Sequence, residues 1–237
     1  MNIVDIAEFY TRPLGKTTQE LLGSRLRAAL ETRSDQLVMG LGFASPYLTG
    51  HERALSFMMA RAGVIHWPRE GGVRSALVDD LDLPLSDNVV DVAFLIHALE
   101  FAESAEELME EIWRVLSPNG RLVMVVPNRR GLWSASDASP FGQGQPFSRS
   151  QLISLFKTAQ FSVSRIEYGL IAPPWAGSGI AQSFEGLGRY GFGRMSGVIL
   201  VEATKQVLAY SSGKLVRRTL PRLRPVLLPT PQPIHRL

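Results

Sequence analysis

The residues of this chain that could bind a small polar ligand begin with a glycine turn. Residues 37–47 read LVMGLGFASPY, in which an apolar run enters a Gly-x-Gly turn and then meets a proline where a helix could start. A strand that ends at glycines and continues as a helix brings backbone N–H groups up to a nucleotide. The turn therefore indicates a nucleotide site, although a tight strand-to-helix turn without a ligand has the same pattern.

Two further segments carry polar side chains where apolar segments end. Asp79, Asp80 and Leu81 follow one short segment, and His97 follows the nearly unbroken apolar run 89–96. Ligands of open α/β sheets lie at the carboxyl ends of the strands, which is the side on which His97 is expected. A histidine there could take a proton from a hydroxyl group or an acidic carbon. Alternatively, the aspartates are exposed turn residues and His97 caps its own loop.

Trp67 is a candidate for stacking on a purine base. It ends the segment 63–67, which we predict to be a second strand, and Pro68 follows it. The nearest carboxylate along the chain is Glu70, beyond the end of that segment. The alternative is that Trp67 packs against the edge of the domain and that His66 bonds to the backbone.

The elements that would position these residues alternate between strand and helix. Leucine spacing predicts a helix over 18–32, a second helix is predicted over 46–62, and the capping boxes Ser104-x-x-Glu107 and Ser148-x-x-Gln151 open two more. The strands are predicted at 36–41, 63–67, 75–78, 89–96, 122–126, 161–170 and 198–208. This order is typical of an α/β fold with a mostly parallel sheet.

Composition limits the class of protein. The 237 residues can bury one sizeable core, and the absence of cysteine excludes thiolate nucleophiles and thiolate metal sites. No metal site is expected. The N-terminal residues show no secretory signal pattern, and no apolar run approaches the ~20 residues of a membrane span. We therefore expect a cytoplasmic protein.

The basic residues are concentrated at the C-terminus. All 22 acidic residues lie at or before Glu202, whereas 205–237 hold seven lysines and arginines in a proline-rich sequence. A solvated basic end is the simpler interpretation. The alternative is an extended arm that contacts an acidic partner or an anionic lipid surface. No nucleic acid is expected as a partner, because no aromatic-and-basic stacking pattern accompanies these arginines.

Three segments resemble the class I S-adenosylmethionine-dependent methyltransferase superfamily, and most of all its type 11 members that act on small molecules. They are DLPLSDNVVDV at 82–92, HALEF at 97–101 and EEIWRVLSPNGRLVMVVPN at 110–128. The resemblance covers about residues 36–170. It implies a Rossmann-like seven-stranded sheet, mostly parallel with an antiparallel last strand, with helices on both faces. It also implies S-adenosylmethionine as the cofactor.

The same resemblance implies where the cofactor lies, which is across the ends of the first three strands. The residues that it assigns to cofactor binding are Gly40, Gly42, Phe43, Ala44, Trp67, Asp79, Asp80, Leu81 and His97. Asp79 would accept a hydrogen bond from the adenine amino group. The chain departs from the family pattern at Gly40, where the family has an acid, and after the second strand, where the family has a carboxylate for the ribose.

The chain is predicted to divide into two parts. Residues 1–210 form a methyltransferase-like domain, with 33–128 on the cofactor side and 129–210 on the substrate side, and 211–237 form the basic tail.

These observations predict two alternative functions. The first alternative is methyl transfer to an unidentified small molecule, with His97 as the catalytic base. The second is a fold that has lost its cofactor and serves as a binding or regulatory subunit of a protein partner. The glycine-rich connection 169–197 could be a lid or a partner surface.

Overall fold

The computed structural model describes residues 3–59, 65–68, 70–137, 139–175 and 195–207. Most of the connection 169–197 and the basic tail lie outside these ranges, so their predicted roles stay predictions. The helices are α1 (Ile3–Thr11), α2 (Pro13–Leu30), α3 (Ala105–Val115) and α4 (Arg149–Thr158). The strands are β1 (Val38–Gly42), β2 (Ala54–Met59), β3 (Ser75–Val78), β4 (Val90–Ile96), β5 (Leu116–Pro127), β6 (Phe161–Gly169) and β7 (Val198–Lys205).

The strands form one seven-stranded sheet in the order β3-β2-β1-β4-β5-β7-β6. The first five strands along the chain pair in parallel, whereas β7 runs antiparallel between β5 and β6. In the central pair, Gly42 of β1 lies beside Ile96 of β4. The predicted α/β sheet with an antiparallel last strand is therefore confirmed.

The two faces of the sheet are covered by different helices, because successive side chains of a strand point to opposite faces. On one face, Met39 and Leu95 belong to a buried cluster with side chains of α3 and α4. On the other face, Val38 and Phe94 belong to a cluster with side chains of α1 and α2. Helices on both faces are thus confirmed.

The helix starts predicted from capping boxes are confirmed. At α4, the Ser148 hydroxyl accepts a hydrogen bond from the Gln151 backbone N–H, and the Gln151 side chain accepts one from the Ser148 backbone N–H. At α3, the Ser104 hydroxyl accepts a hydrogen bond from the Glu107 backbone N–H. Each cap satisfies backbone donors that a helix start leaves unpaired.

The segment after β1 differs from the prediction. The helix predicted over 46–62 is wrong: one 3-10 turn at Ser45–Tyr47 is followed by β2 at Ala54–Met59. Gly50, with φ +93°, interrupts any helix, and the apolar run ALSFMM is almost wholly buried, as expected for a strand covered on both faces. The second strand predicted at 63–67 is also wrong, since 65–67 are not in a strand and Trp67 lies beyond the end of β2.

The helix α1 has no counterpart in the sequence-based prediction. Its buried residues Ile3, Ile6, Phe9 and Tyr10 have helical spacing, and they place α1 against the same face of the sheet as α2. Among the residues that the structure describes, no helix is long and apolar enough to cross a membrane.

Candidate functional site

The glycine turn at the end of β1 is held directly against the end of β4. Gly42 has φ +80°, and a Cβ atom at this position would lie 2.4 Å from the backbone oxygen of Ile96 and 2.5 Å from that of His97. The backbone N–H of Phe43 donates to the Ile96 oxygen at 2.6 Å. Glycine is therefore required here both by its conformation and by the close approach of two backbones.

The position at which the related loops carry an acid has no room for one. A Cβ atom at Gly40 would lie 2.7 Å from the Ala44 Cβ and 2.7 Å from the Leu48 Cδ1. Ala44 and Leu48 are themselves fully buried. The loop after β1 therefore folds back over Gly40, and this packing accounts for the departure from the family pattern.

The helix α1 covers the glycine turn through an aromatic contact. The ring of Tyr10 stacks on that of Phe43, with centroids 4.9 Å apart and an interplanar angle of 22°. Both rings are buried. The contact holds one end of α1 at the carboxyl end of β1. The helix α1 therefore borders the space beside that end of the strand.

Tyr10 also belongs to a hydrogen-bonded chain of three buried side chains. The Tyr10 hydroxyl lies 3.0 Å from Nε2 of His97, and Nδ1 of His97 lies 3.0 Å from Oε1 of Glu100. The side chains of His97 and Glu100 are both 0% exposed. The ring of Phe141 packs on the imidazole with its centroid 4.6 Å away. This arrangement fixes the orientation of the imidazole.

The environment of Tyr10 keeps its hydroxyl protonated. Burial raises the pKa of Tyr10 well above 10, with smaller contributions from Tyr47 and Glu100. A protonated phenol can donate a hydrogen bond to Nε2 of a neutral imidazole, whose Nδ1–H then donates to Glu100. The chain can thus pass a proton from Tyr10 towards His97, while the carboxyl group of Glu100 holds the imidazole.

A cavity of about 780 Å³ opens at the carboxyl ends of β1 and β2. Its volume lies within the range of small-molecule sites. One face of α1 supplies the residues Val4, Ala7, Glu8 and Thr11, at helical spacing. The rest of the wall that the structure describes comes from Tyr10, Gln19, Phe43, Ser45, Pro46, Thr49, Gly50, Ile65, His66, Trp67, Pro68 and Arg74. Aromatic rings and hydrogen-bonding groups therefore share one cavity.

Trp67 is held in place at this cavity by neighbours on both sides. Its backbone N–H donates to the Ser75 hydroxyl at 3.0 Å, and its backbone oxygen accepts from Arg74 at 2.8 Å. The Arg74 guanidinium lies 5.2 Å from the centre of the indole ring. A fixed aromatic face beside an open cavity is suited to stacking on a planar base.

The structure brings some of the predicted site residues together and leaves others apart. Phe43 and Trp67 line the cavity, whereas the other members of the group around the turn are buried and are not part of its wall: Gly40, Gly42, Ala44 and His97. The loop of Asp79, Asp80 and Leu81 follows β3 and is not part of the cavity wall. The Asp79 carboxylate accepts a hydrogen bond from the Leu81 backbone N–H at 3.0 Å, so it also supports its own turn.

Three residues of the site escaped the sequence-based prediction, namely Glu8, Tyr10 and Glu100. Helical spacing of apolar residues in α1 could have indicated that helix, but not what its polar face contacts. Glu100 stands three residues after His97, yet a short 3-10 turn at Leu99–Phe101 places the two side chains together.

Comparisons with known proteins agree with this fold. Residues 52–124 match the methyltransferase domain family. No curated protein matches the chain. Among solved structures, a possible histamine N-methyltransferase from Thermotoga maritima is similar with a TM-score of 0.60 and 13% identity, covering 86% of this chain and 96% of that one.

Two further solved structures have the same fold. One is geranyl diphosphate C-methyltransferase from Streptomyces coelicolor, in complex with Mg²⁺, geranyl diphosphate and S-adenosyl-L-homocysteine, with TM-score 0.57, 16% identity and 79% of each chain covered. The other is a putative methyltransferase in complex with the Trm112 methyltransferase activator of Haloferax volcanii, with TM-score 0.57 and 16% identity. That match covers 82% of this chain and 96% of that one. At such identities the similarity establishes the fold.

Proposed function

We propose that the chain is a class I S-adenosylmethionine-dependent methyltransferase and that it transfers a methyl group from S-adenosylmethionine to a small molecule. The observation that carries the proposal is the cavity of about 780 Å³ beside the glycine turn, where Phe43 and Trp67 supply aromatic faces. It lies at the carboxyl edge of the sheet, which is where open α/β sheets bind ligands.

The residues around the cavity fit this cofactor chemically. A purine requires an apolar face, which Trp67 offers, and ribose hydroxyls and an ammonium group require acceptors, which Glu8 and Gln19 offer. The cofactor, when bound, supplies a methyl group on an already reactive sulfonium. The protein's own contribution is then to align the acceptor and to receive its proton.

We assign proton removal to His97 acting through Tyr10. Tyr10 is part of the cavity wall, whereas His97 is buried and is not part of that wall. The molecule that receives the methyl group could hydrogen-bond to the Tyr10 hydroxyl. It would then pass its proton to Tyr10, as Tyr10 passes its own to Nε2 of His97. Glu100 then neutralises the charge on the imidazole.

Calorimetric titration of the protein with S-adenosylmethionine and with S-adenosylhomocysteine tests the proposed function. We expect saturable binding of both compounds, with affinities in the range of about 1 μM to 1 mM that is usual for enzyme substrates. The absence of binding of either compound at about 1 mM would refute the proposal.

The loop after β3 supplies a second test, which concerns the adenine. We propose that Asp79 accepts a hydrogen bond from the adenine amino group, and we expect Asp79→Ala to weaken cofactor binding by about tenfold, since a hydrogen bond to a charged group is lost. Asp82→Ala is the matched control, because Asp82 is an exposed acid of the same loop. Equal affinities for the two variants in the calorimetric titration would contradict the role of Asp79.

A further inference from the structure

We infer that Glu8 of α1 holds the ribose of the cofactor and takes the place of the carboxylate that related proteins carry after their second strand. The inference rests on the proposed function and adds a ligand residue to it. Glu8 lines the cavity together with Phe43 and Trp67. Of the residues that the structure describes on this wall, Glu8 is the only carboxylate.

Neither of the two positions at which related proteins carry an acid has one in this chain. Gly40 has no space for a side chain, because Ala44 and Leu48 pack against it. The strand β2 ends at Met59, and the next five residues of the sequence, Ala-Arg-Ala-Gly-Val, contain no acid. A nucleoside in the cavity would therefore find no carboxylate at either position.

The helix α1 can supply the missing group because of how it is fixed. Val4, Ala7, Glu8 and Thr11 form one face of the helix, and that face is the cavity wall. Tyr10, two residues beyond Glu8, is stacked on Phe43 directly after the glycine turn. The position of Glu8 relative to the turn is thus determined by a buried aromatic contact rather than by a surface loop.

The chemistry of Glu8 suits two neighbouring hydroxyl groups. A carboxylate accepts hydrogen bonds on both oxygens, and hydrogen bonds to an ionised acceptor are stronger than those between neutral groups. Oε1 of Glu8 already accepts from Arg12 at 2.6 Å, in a pair whose side chains are 61% and 63% exposed. Exposed ion pairs of this kind contribute little stability, so the pair does not prevent the carboxylate from turning towards a ligand.

The test is the binding of three probes by the wild-type protein and by Glu8→Gln. The probes are S-adenosylhomocysteine, 5′-methylthioadenosine, which lacks the amino-acid part, and the 2′,3′-dideoxy analogue of 5′-methylthioadenosine, which lacks both ribose hydroxyls. Titration calorimetry gives each affinity. We expect Glu8→Gln to weaken the first two probes by about tenfold or more. The dideoxy analogue should bind to both proteins with affinities equal to within about twofold.

Asp5→Asn is the matched control, because it removes the same charge from an exposed residue of α1 that is not on this wall. It should bind all three probes as the wild-type protein does. An effect of Glu8→Gln on S-adenosylhomocysteine alone would show that Glu8 binds the ammonium group, which would overturn the inference. Unchanged binding of all probes would overturn it as well. Binding of none of them by the wild-type protein would overturn both this inference and the proposed function.

Discussion

Gly42→Ala is expected to lower the free energy of unfolding by about 3 kcal/mol or more and to abolish cofactor binding. The residue has φ +80°, and an added Cβ would lie within 2.5 Å of two backbone oxygens at the end of β4. These oxygens belong to the backbone, so they cannot move away from the added Cβ as the end of a flexible side chain can. The ends of β1 and β4 must therefore separate, and this separation would displace Phe43 from the cavity wall. Urea denaturation and calorimetric titration measure the two effects.

Gly71→Ala is the matched control for this prediction. Gly71 has φ +89°, similar to that of Gly42, but a Cβ atom there would meet nothing within 4 Å. Its substitution isolates the conformational cost of a positive φ, which we expect to be about 1 kcal/mol. If the two variants were equally stable, the contact between the ends of β1 and β4 would not be the reason for Gly42.

Much of the fold could be predicted because its signals are local. Ser104 and Ser148 cap helices through bonds to residues three positions away. The apolar run at 89–96 forms the buried strand β4 almost without change. The segments that resemble the methyltransferase superfamily surround this strand, and residues 52–124 match that domain family. Such patterns depend on neighbours in sequence, so one sequence contains them.

The second strand was predicted wrongly because its signal is ambiguous. Short apolar runs such as ALSFMM fit a buried strand and a buried helix equally well. In this chain Gly50, with φ +93°, stops the helix, and the run forms β2.

The site was harder to predict than the fold because it is assembled from distant segments. Tyr10 and His97 are hydrogen-bonded across 87 positions of the sequence. Likewise, the glycine in place of an acid at position 40 suggested a weakened cofactor site from sequence alone. In the structure, Ala44 and Leu48 pack against Gly40 and leave no room for an acidic side chain. The spacing of residues along the sequence does not reveal this packing. Contacts between side chains of separate elements decide what this site contains.

His97→Asn is expected to lower the free energy of unfolding by about 3 kcal/mol or more. His97 has φ +54°, and asparagine tolerates this region better than most residues, so the loss reports the side chain rather than the backbone. Without the imidazole, the Glu100 carboxyl group loses the partner of Oε1. Its Oε2 already makes no hydrogen bond with any residue in the described part of the chain. A buried carboxyl group without partners costs more than the lost hydrogen bond itself.

Two further variants separate this cause from simple loss of packing. Glu100→Gln keeps an oxygen that can accept from the imidazole, so we expect it to cost about 1 kcal/mol. In the His97→Asn background, Glu100→Leu removes the unpaired carboxyl group and should restore part of the stability, as replacement of buried pairs by apolar residues often does. Urea denaturation of the wild-type protein, His97→Asn, Glu100→Leu and the double variant gives the coupling energy between the two positions. If Glu100→Leu destabilised the His97→Asn protein further, the cost would come from the space that the smaller asparagine leaves beside Phe141. The hydrogen-bonded chain would then not be the reason for the buried carboxyl group.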